Sequence, residues 1–194
     1  IVVPFSPESL LSGCDFQLQS GETLWYERTF TLPEGFRKDR VLLHFGAVDQ
    51  SASVSLNGHV VGKHRGGYEA FCFDVTEYLK DENELTVVAA DALDSFVYPY
   101  GKQCEKRGGM WYTPVSGIWQ TVWLESVPEN YITGLDIRNE GEAVRIAVEN
   151  TMHGVITVQT PNGAEIFPLD RGEAVIKLKN PRLWSPEDPY LYSF

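Results

Sequence analysis

The side chains best placed to do chemistry lie in the middle of the chain. "VVAADALDSF" sends two carboxylates, Asp91 and Asp94, out of a strand-like run into an irregular stretch. Carboxylates there either accept backbone N–H groups and cap their own loop, or point outward to take hydroxyl hydrogen bonds or an ion. "PYGKQCEKRGG" follows, the longest irregular stretch, carrying Lys102 and Gln103. Long loops on a β scaffold are where ligand contacts concentrate, although an internally hydrogen-bonded loop would use the same polar residues. Trp111 and Tyr112 stand just beyond "EKRGG", outside clear alternation, where a ring is held either at the rim of a cleft or under the loop. Exposed, such a pair could stack on the apolar face of a ring-shaped ligand such as a sugar.

Other chemistries fail on spacing. His44, His59, His64 and His153 are not spaced as metal ligands, so each reads as a surface or turn residue and no metal or cofactor is expected. Cys14, Cys72 and Cys104 are odd in number and widely separated, which suits neither a disulfide framework nor a zinc site. Cys72, in "AFCFDV", is expected to be buried as a small hydrophobe. "GKHRGG" lacks the Gly-x-x-x-x-Gly-Lys-Ser/Thr pattern of a phosphate loop. Lys and Arg number 16 against 27 Asp and Glu, a net charge of −11 that repels nucleic acid and anionic membrane surfaces. No stretch approaches the roughly 20 apolar residues of a membrane helix. The chain opens on Ile1 without the basic start of a signal peptide, which reads as a mature protein or an excised piece of a longer one.

The elements that must position these residues repeat with a period of two. "VLLHF" alternates Val41, Leu43 and Phe45 against Leu42 and His44, and "SVSLNGHVVG" forms a hairpin about Asn57-Gly58, a pair that tolerates the positive φ of a type I′ turn. "FCFDV" and "ELTVVAA" are further strands, with one helical turn predicted in "TEYLKDEN" between them. "YERTFTL" places Tyr26, Arg28, Phe30 and Leu32 on one face, so Arg28 is expected on the apolar side, needing an ion-pair partner or a ligand. In "GIWQTVWLE", Trp119, Thr121 and Trp123 share one face and Ile118, Val122 and Leu124 the other, which predicts a strand buried on both sides. Pro128 then breaks the pattern. "GLDIRNE", "AVRIAVEN", "GVITVQT" and "AVIKLKN" follow as thinner strands, too few residues for the roughly 100 of a full immunoglobulin-like sandwich.

"FGAVDQSASVSLNGHVVGKHRGGYEAFCFDVTEYL", "NELTVV", "YGKQ" and above all "WYTPVSGIWQTVWLESVP" resemble the N-terminal sugar-binding jelly-roll domain of family 2 glycoside hydrolases, the group of β-galactosidases, β-glucuronidases and β-mannosidases. "YITGLDI" through "LWSPEDPYLY" resembles the immunoglobulin-like domain that follows it in that family. The resemblance implies an all-β chain: a jelly-roll, galactose-binding-like β-sandwich over residues 1–127 and an immunoglobulin-like β-sandwich, incomplete, over 128–194.

The family's two catalytic glutamates belong to a (β/α)₈ barrel that has no counterpart here. Retaining glycoside hydrolysis needs two carboxyl groups held about 5 to 5.5 Å apart, whereas most acidic residues here fall in turns such as "KDEN" and "SPED". The resemblance therefore implies a non-catalytic portion of a β-galactosidase-like enzyme, its partners a carbohydrate substrate and the barrel of the same parent chain. Homo-oligomerisation, and a cytoplasmic as against a periplasmic or secreted location, stay open. It also implies that the loop position of Asp94 reaches towards the sugar and that Lys102 and Gln103 match the family's "GKQ"; Asp91 is a further candidate contact, although its place after a strand suits loop capping better. Relatives of the β-glucuronidase kind tend to carry an Asp near the position of Trp111, which weighs against a glucuronide contact. A stand-alone carbohydrate-binding module built on Trp111 and Tyr112, and a structural or adhesive sandwich pair, are the alternatives.

Overall fold

The computed structural model describes residues 1–93 and 97–194; Asp94 lies outside the described residues. The chain forms two compact units, Ile1–Pro128 and Glu129–Phe194. Among the described residues the only helices are short 3₁₀ turns, Leu10–Ser12 and Thr76–Tyr78, and no helix is long and apolar enough to cross a membrane.

The first unit contains β1 (Thr23–Phe30), β2 (Arg40–Phe45), β3 (Val48–Asp49), β4 (Ser51–Leu56), β5 (His59–Arg65), β6 (Phe71–Asp74), β7 (Asn83–Ala90), β8 (Gly117–Ile118) and β9 (Val122–Val127). They build a four-stranded sheet in the order β1-β7-β4-β5, a three-stranded sheet β6-β2-β9 and the short pair β3-β8. Every pairing is antiparallel. Alternation supplies one apolar face per sheet, and those faces meet in a core of Val41, Leu43, Phe45, Val54, Leu56 and Val87. The Asn57-Gly58 turn joins β4 to β5 with φ of 53° and 83°, the double positive φ of a type I′ hairpin. Asn57 also donates to Tyr78 O at 2.7 Å, which ties this turn to the 3₁₀ turn.

Several expectations about faces are corrected here. β8 and β9 are separate strands that pair with β3 and β2, and the backbone between them leaves the ladder. Ile118, Val122 and Leu124 do share the inner face, but the opposite face is not buried. Val122 and Leu124 turn inward, whereas Trp123 lies on the outer face, 43% exposed and stacked on His44 with ring centroids 4.8 Å apart, so the strand is buried on one side only. Arg28 does share the side of Tyr26 and Phe30, yet it is exposed. β1 and β9 are the edges of their sheets, and a cleft of about 890 Å³ opens beside Arg28, floored by Leu43, Phe45 and Val87. Facing that opening, the guanidinium reaches water and needs no partner. Cys72 is exposed, because Phe71 and Phe73 take the inward positions of β6. His44 and His64 are half-buried strand residues rather than surface or turn residues, stacked on Trp123 and Phe71.

The second unit contains β10 (Leu135–Glu140), β11 (Ala143–Val148), β12 (His153–Thr160), β13 (Gly163–Asp170) and β14 (Glu173–Ile176), in the order β10-β11-β14-β13-β12. Ile146, Val148, Ile156, Val158, Leu169 and Ile176 form its core. β13 meets β14 only at Asp170↔Glu173, so most of its length has a ladder on one side alone. Such a near-edge strand tolerates Pro168, whose missing N–H would break a central strand.

Candidate functional site

The connection from β7 to β8 carries all the sequence-predicted contact residues, and the structure divides the described ones, Asp91, Lys102, Gln103, Trp111 and Tyr112, into a buried base and an exposed outer part. The outer part is pinned by main-chain bonds. Tyr112 N donates to Lys102 O at 2.8 Å, Cys104 N to Tyr112 O at 3.3 Å, and Trp111 N to Gly108 O at 3.1 Å. Lys102, Trp111 and Tyr112 thereby share one exposed patch, with Trp111 43% and Tyr112 69% exposed. Indole and phenol faces left in water have no packing role to account for them, and a ring-shaped ligand could use them.

Asp91 and Gln103 face the other way. Both are buried, and Gln103 accepts from Val115 N at 2.7 Å through its side-chain oxygen. Asp91 Oδ1 accepts from Leu93 N at 3.0 Å, the loop-capping bond by which an Asp satisfies an amide two residues on. Asp91 Oδ2 and the neighbouring Ser116 Oγ have no hydrogen-bond partner, though both are buried. Burial pushes the Asp91 carboxyl above the usual range, an effect that the bond from Leu93 N partly offsets.

Around this base lies a group of side chains that sequence reasoning missed. Asp49 ends β3 and is buried. Burial pushes its pKa up to about 7, the charges of Asp91 and Glu8 add to the rise, and a hydrogen bond with Gln103 opposes it. Glu8 accepts from Leu18 N at 3.4 Å and from Ser116 N at 3.2 Å, stitching the N-terminal coil to the end of the loop. Gln17 donates to Glu105 O at 2.7 Å, a second stitch. Gly67 fits against Asp49 because it lacks a side chain: a Cβ there would stand 2.7 Å from Asp49 Cγ. Its carbonyl accepts from Trp119 Nε1 at 2.8 Å, and Tyr68 meets the Trp119 ring edge-on at 6.0 Å. Tyr68 is 54% exposed, and its phenol is raised by partial desolvation and by the charges of Asp49 and Asp91. Tyr26 is pushed up to about 12 by burial, although its oxygen accepts from Ile118 N at 3.2 Å. The one available sequence signal was Asp49 itself, a carboxylate between the apolar run "FGAV" and the strand that follows.

The arrangement presents an exposed, partly aromatic patch over a buried polar base. No group of three or more His, Cys, Asp or Glu among the described residues could hold a metal ion.

Residues 7–111 match the family described as glycosyl hydrolase 2 galactose-binding domain-like, and residues 129–194 match glycosyl hydrolases family 2. The chain is 28% identical to a β-galactosidase of Thermoanaerobacter pseudethanolicus, over 87% of this chain and 25% of that protein. It is 26% identical to a β-glucuronidase of Paenibacillus borealis, over 88% of this chain and 32% of the relative. Among solved structures it resembles a β-glucuronidase of Faecalibacterium prausnitzii with a TM-score of 0.76 and 26% identity, over 99% of this chain and 38% of that one. The chain thus spans about a quarter to two fifths of the length of these relatives. With both of its units matched, the chain belongs to family 2 of the glycosyl hydrolases.

Proposed function

We propose that this chain is the non-catalytic N-terminal portion of a β-galactosidase-like family 2 glycoside hydrolase. In this reading residues 1–127 are the sugar-binding jelly roll and 128–194 part of the immunoglobulin-like domain. The first supports a catalytic barrel of the same parent chain and lends it Asp94, Lys102, Trp111 and Tyr112 at the substrate cleft, while Asp91 and Gln103 hold the loop from below. The observation that carries the reading is the match of both units to the family together with the small share of the relatives that they span.

Two proteins decide it: the 194-residue chain, and the full reading frame from which it comes, both assayed on 4-nitrophenyl β-D-galactopyranoside. The expected result is turnover by the second and none by the first. Turnover by the 194-residue chain, abolished by one Asp or Glu substitution, would overturn the non-catalytic assignment. An inactive full-length protein whose Trp111 fluorescence responds to galactose would favour the stand-alone binding module instead, a reading supported by the exposure of Trp111 and Tyr112.

A further inference from the structure

The two sheets of the first unit close against each other at one end and stand open at the other. At the closed end β5 meets β6: the His64 ring stacks on Phe71 with centroids 4.0 Å apart, and the Phe73 ring fills the space that a side chain on Gly62 would need. At the open end the edges are β1 and β9, neither with a second strand beside it among the described residues, and the cleft of about 890 Å³ lies along them. Burial follows the same gradient. Val41, Val54 and Leu56 are at most 1% exposed, whereas Phe30, Leu85, Val122 and Leu124, which pack on the same core, stay half-buried beside the cleft. Inner-face apolar side chains left within reach of water mark a layer that lacks a member. The two edges differ in what they admit. β1 carries Arg28 on its inner side, and an inward charge is one of the devices by which an edge strand refuses a neighbour. β9 turns Val122 and Leu124 inward, has no proline, and leaves one row of its N–H and C=O groups open to a new ladder.

We propose that the free edge of β9 takes one more strand, supplied by the parent polypeptide on the N-terminal side of Ile1, with apolar side chains alternating into the cleft and an acidic one facing Arg28. Place, length and charge all favour this occupant. Ile1, Val3 and Pro4 already line the cleft, and the bond from Val2 N to Ser12 O at 2.8 Å holds them there, so a segment joined to Ile1 meets β9 at high effective concentration. β9 has six residues, about 20 Å of edge, the usual length of a strand. A strand added there makes four in its sheet, equal to the four of β1-β7-β4-β5, and lays its inward side chains over the floor of Leu43, Phe45 and Val87. The exposed Arg28 guanidinium stands across the cleft from that strand, where a carboxylate would satisfy it as the last layer closes over both. The proposal rests on the proposed function only in taking this chain as part of a longer polypeptide.

The test reads neither sugar nor turnover, so its failure is separate from failure of the glycosidase reading. Amide hydrogen exchange and calorimetry compare the 194-residue chain with the same chain lengthened by the residues encoded ahead of Ile1. About 20 residues suffice for a strand and its connection. In the lengthened protein alternate amides of β9, those on its free edge, should exchange about tenfold more slowly or better, and the Tm of the first unit should rise. Arg28→Glu should leave the 194-residue chain unchanged, since Arg28 is exposed there, and should take away much of the gain in the lengthened one. Should the chain fold only when lengthened, the lengthened protein decides: alternate protection along β9 that Arg28→Glu weakens upholds the proposal, and an unprotected edge overturns it. Equal exchange of the β9 amides in both proteins overturns it, as does a parent reading frame with no residues ahead of Ile1. So does a β9 edge already protected in the 194-residue chain and exposed on dilution, which would mean that a second copy covers it.

Discussion

Gly67→Ala is the sharpest probe of the buried base. The added methyl would stand 2.7 Å from Asp49 Cγ, well inside contact distance, and closer still to Oδ1. Asp49 is 4% exposed, so its carboxyl has no solvent to swing into. Forcing a methyl into a filled interior costs about 1–3 kcal/mol. The segment must then shift, and the bond from Trp119 Nε1 to Gly67 O at 2.8 Å weakens with it, which adds about 1 kcal/mol. A total of about 2–4 kcal/mol corresponds to a fall in Tm of roughly 5–15 °C for a chain of this size. Urea unfolding followed by tryptophan fluorescence supplies the free energy and calorimetry the Tm. Attribution to Asp49 comes from a cycle with Asp49→Ala, which empties the space the methyl needs. The two changes should be non-additive by about 1–3 kcal/mol, the double variant losing less than the sum. Strict additivity, or a Gly67→Ala protein as stable as its parent, would refute the crowding account, since the glycine's backbone conformation gives it no other reason to be required.

Stability should fall as pH rises from about 4 to about 7 and then level off. Asp49 keeps its proton to about 7 in the folded chain but would lose it at 3.8 when unfolded, so the unfolded state releases protons first across that window. Three pK units at 1.36 kcal/mol each set a ceiling of about 4 kcal/mol for the effect, and urea midpoints at pH 4.5 and 8 should differ in that direction, the difference shrinking in Asp49→Asn. Gly117→Ala should destabilise by more than about 2 kcal/mol, because its φ of +67° favours glycine and a Cβ would collide with the Tyr26 hydroxyl; unchanged urea unfolding would contradict it. In the full-length enzyme of the proposed function, Asp94→Ala should lower kcat/KM by about ten- to a hundredfold, the loss of a contact worth about 1–3 kcal/mol, while the Tm of the 194-residue chain stays put.

The strands of the first unit were legible because each buries one face, which writes a period of two into the residues. Val41, Leu43 and Phe45 alternate in the sequence and are all buried, and the Asn57-Gly58 pair marks its turn by backbone preference alone. Legibility stopped at the stretch from Ile118 to Leu124, where the inner face was found but the outer face was expected to be buried as well. The stretch from Ile118 to Leu124 reads as one strand with two bulky faces, but the ladder is interrupted between β8 and β9, and nothing in the residue types of Trp119, Gln120 and Thr121 announces it. β13 went unseen for the opposite reason: Pro168 argues against a strand unless one knows that its neighbour β14 barely touches it.

The site divides along the same line. The exposure of Lys102, Trp111 and Tyr112 was legible, since a long irregular stretch between two strands runs over the surface. The buried half of the site was not, because Glu8, Asp49, Asp91, Gln103 and Ser116 come from separate segments and acquire meaning only when the sandwich brings them together. A carboxylate's environment is a tertiary property: the apolar run before Asp49 hints at burial, but its neighbours Glu8, Asp91 and Gln103 are supplied only by the fold. Burial is also what raises the Asp49 carboxyl, so its protonation is set by contacts made only in the folded chain.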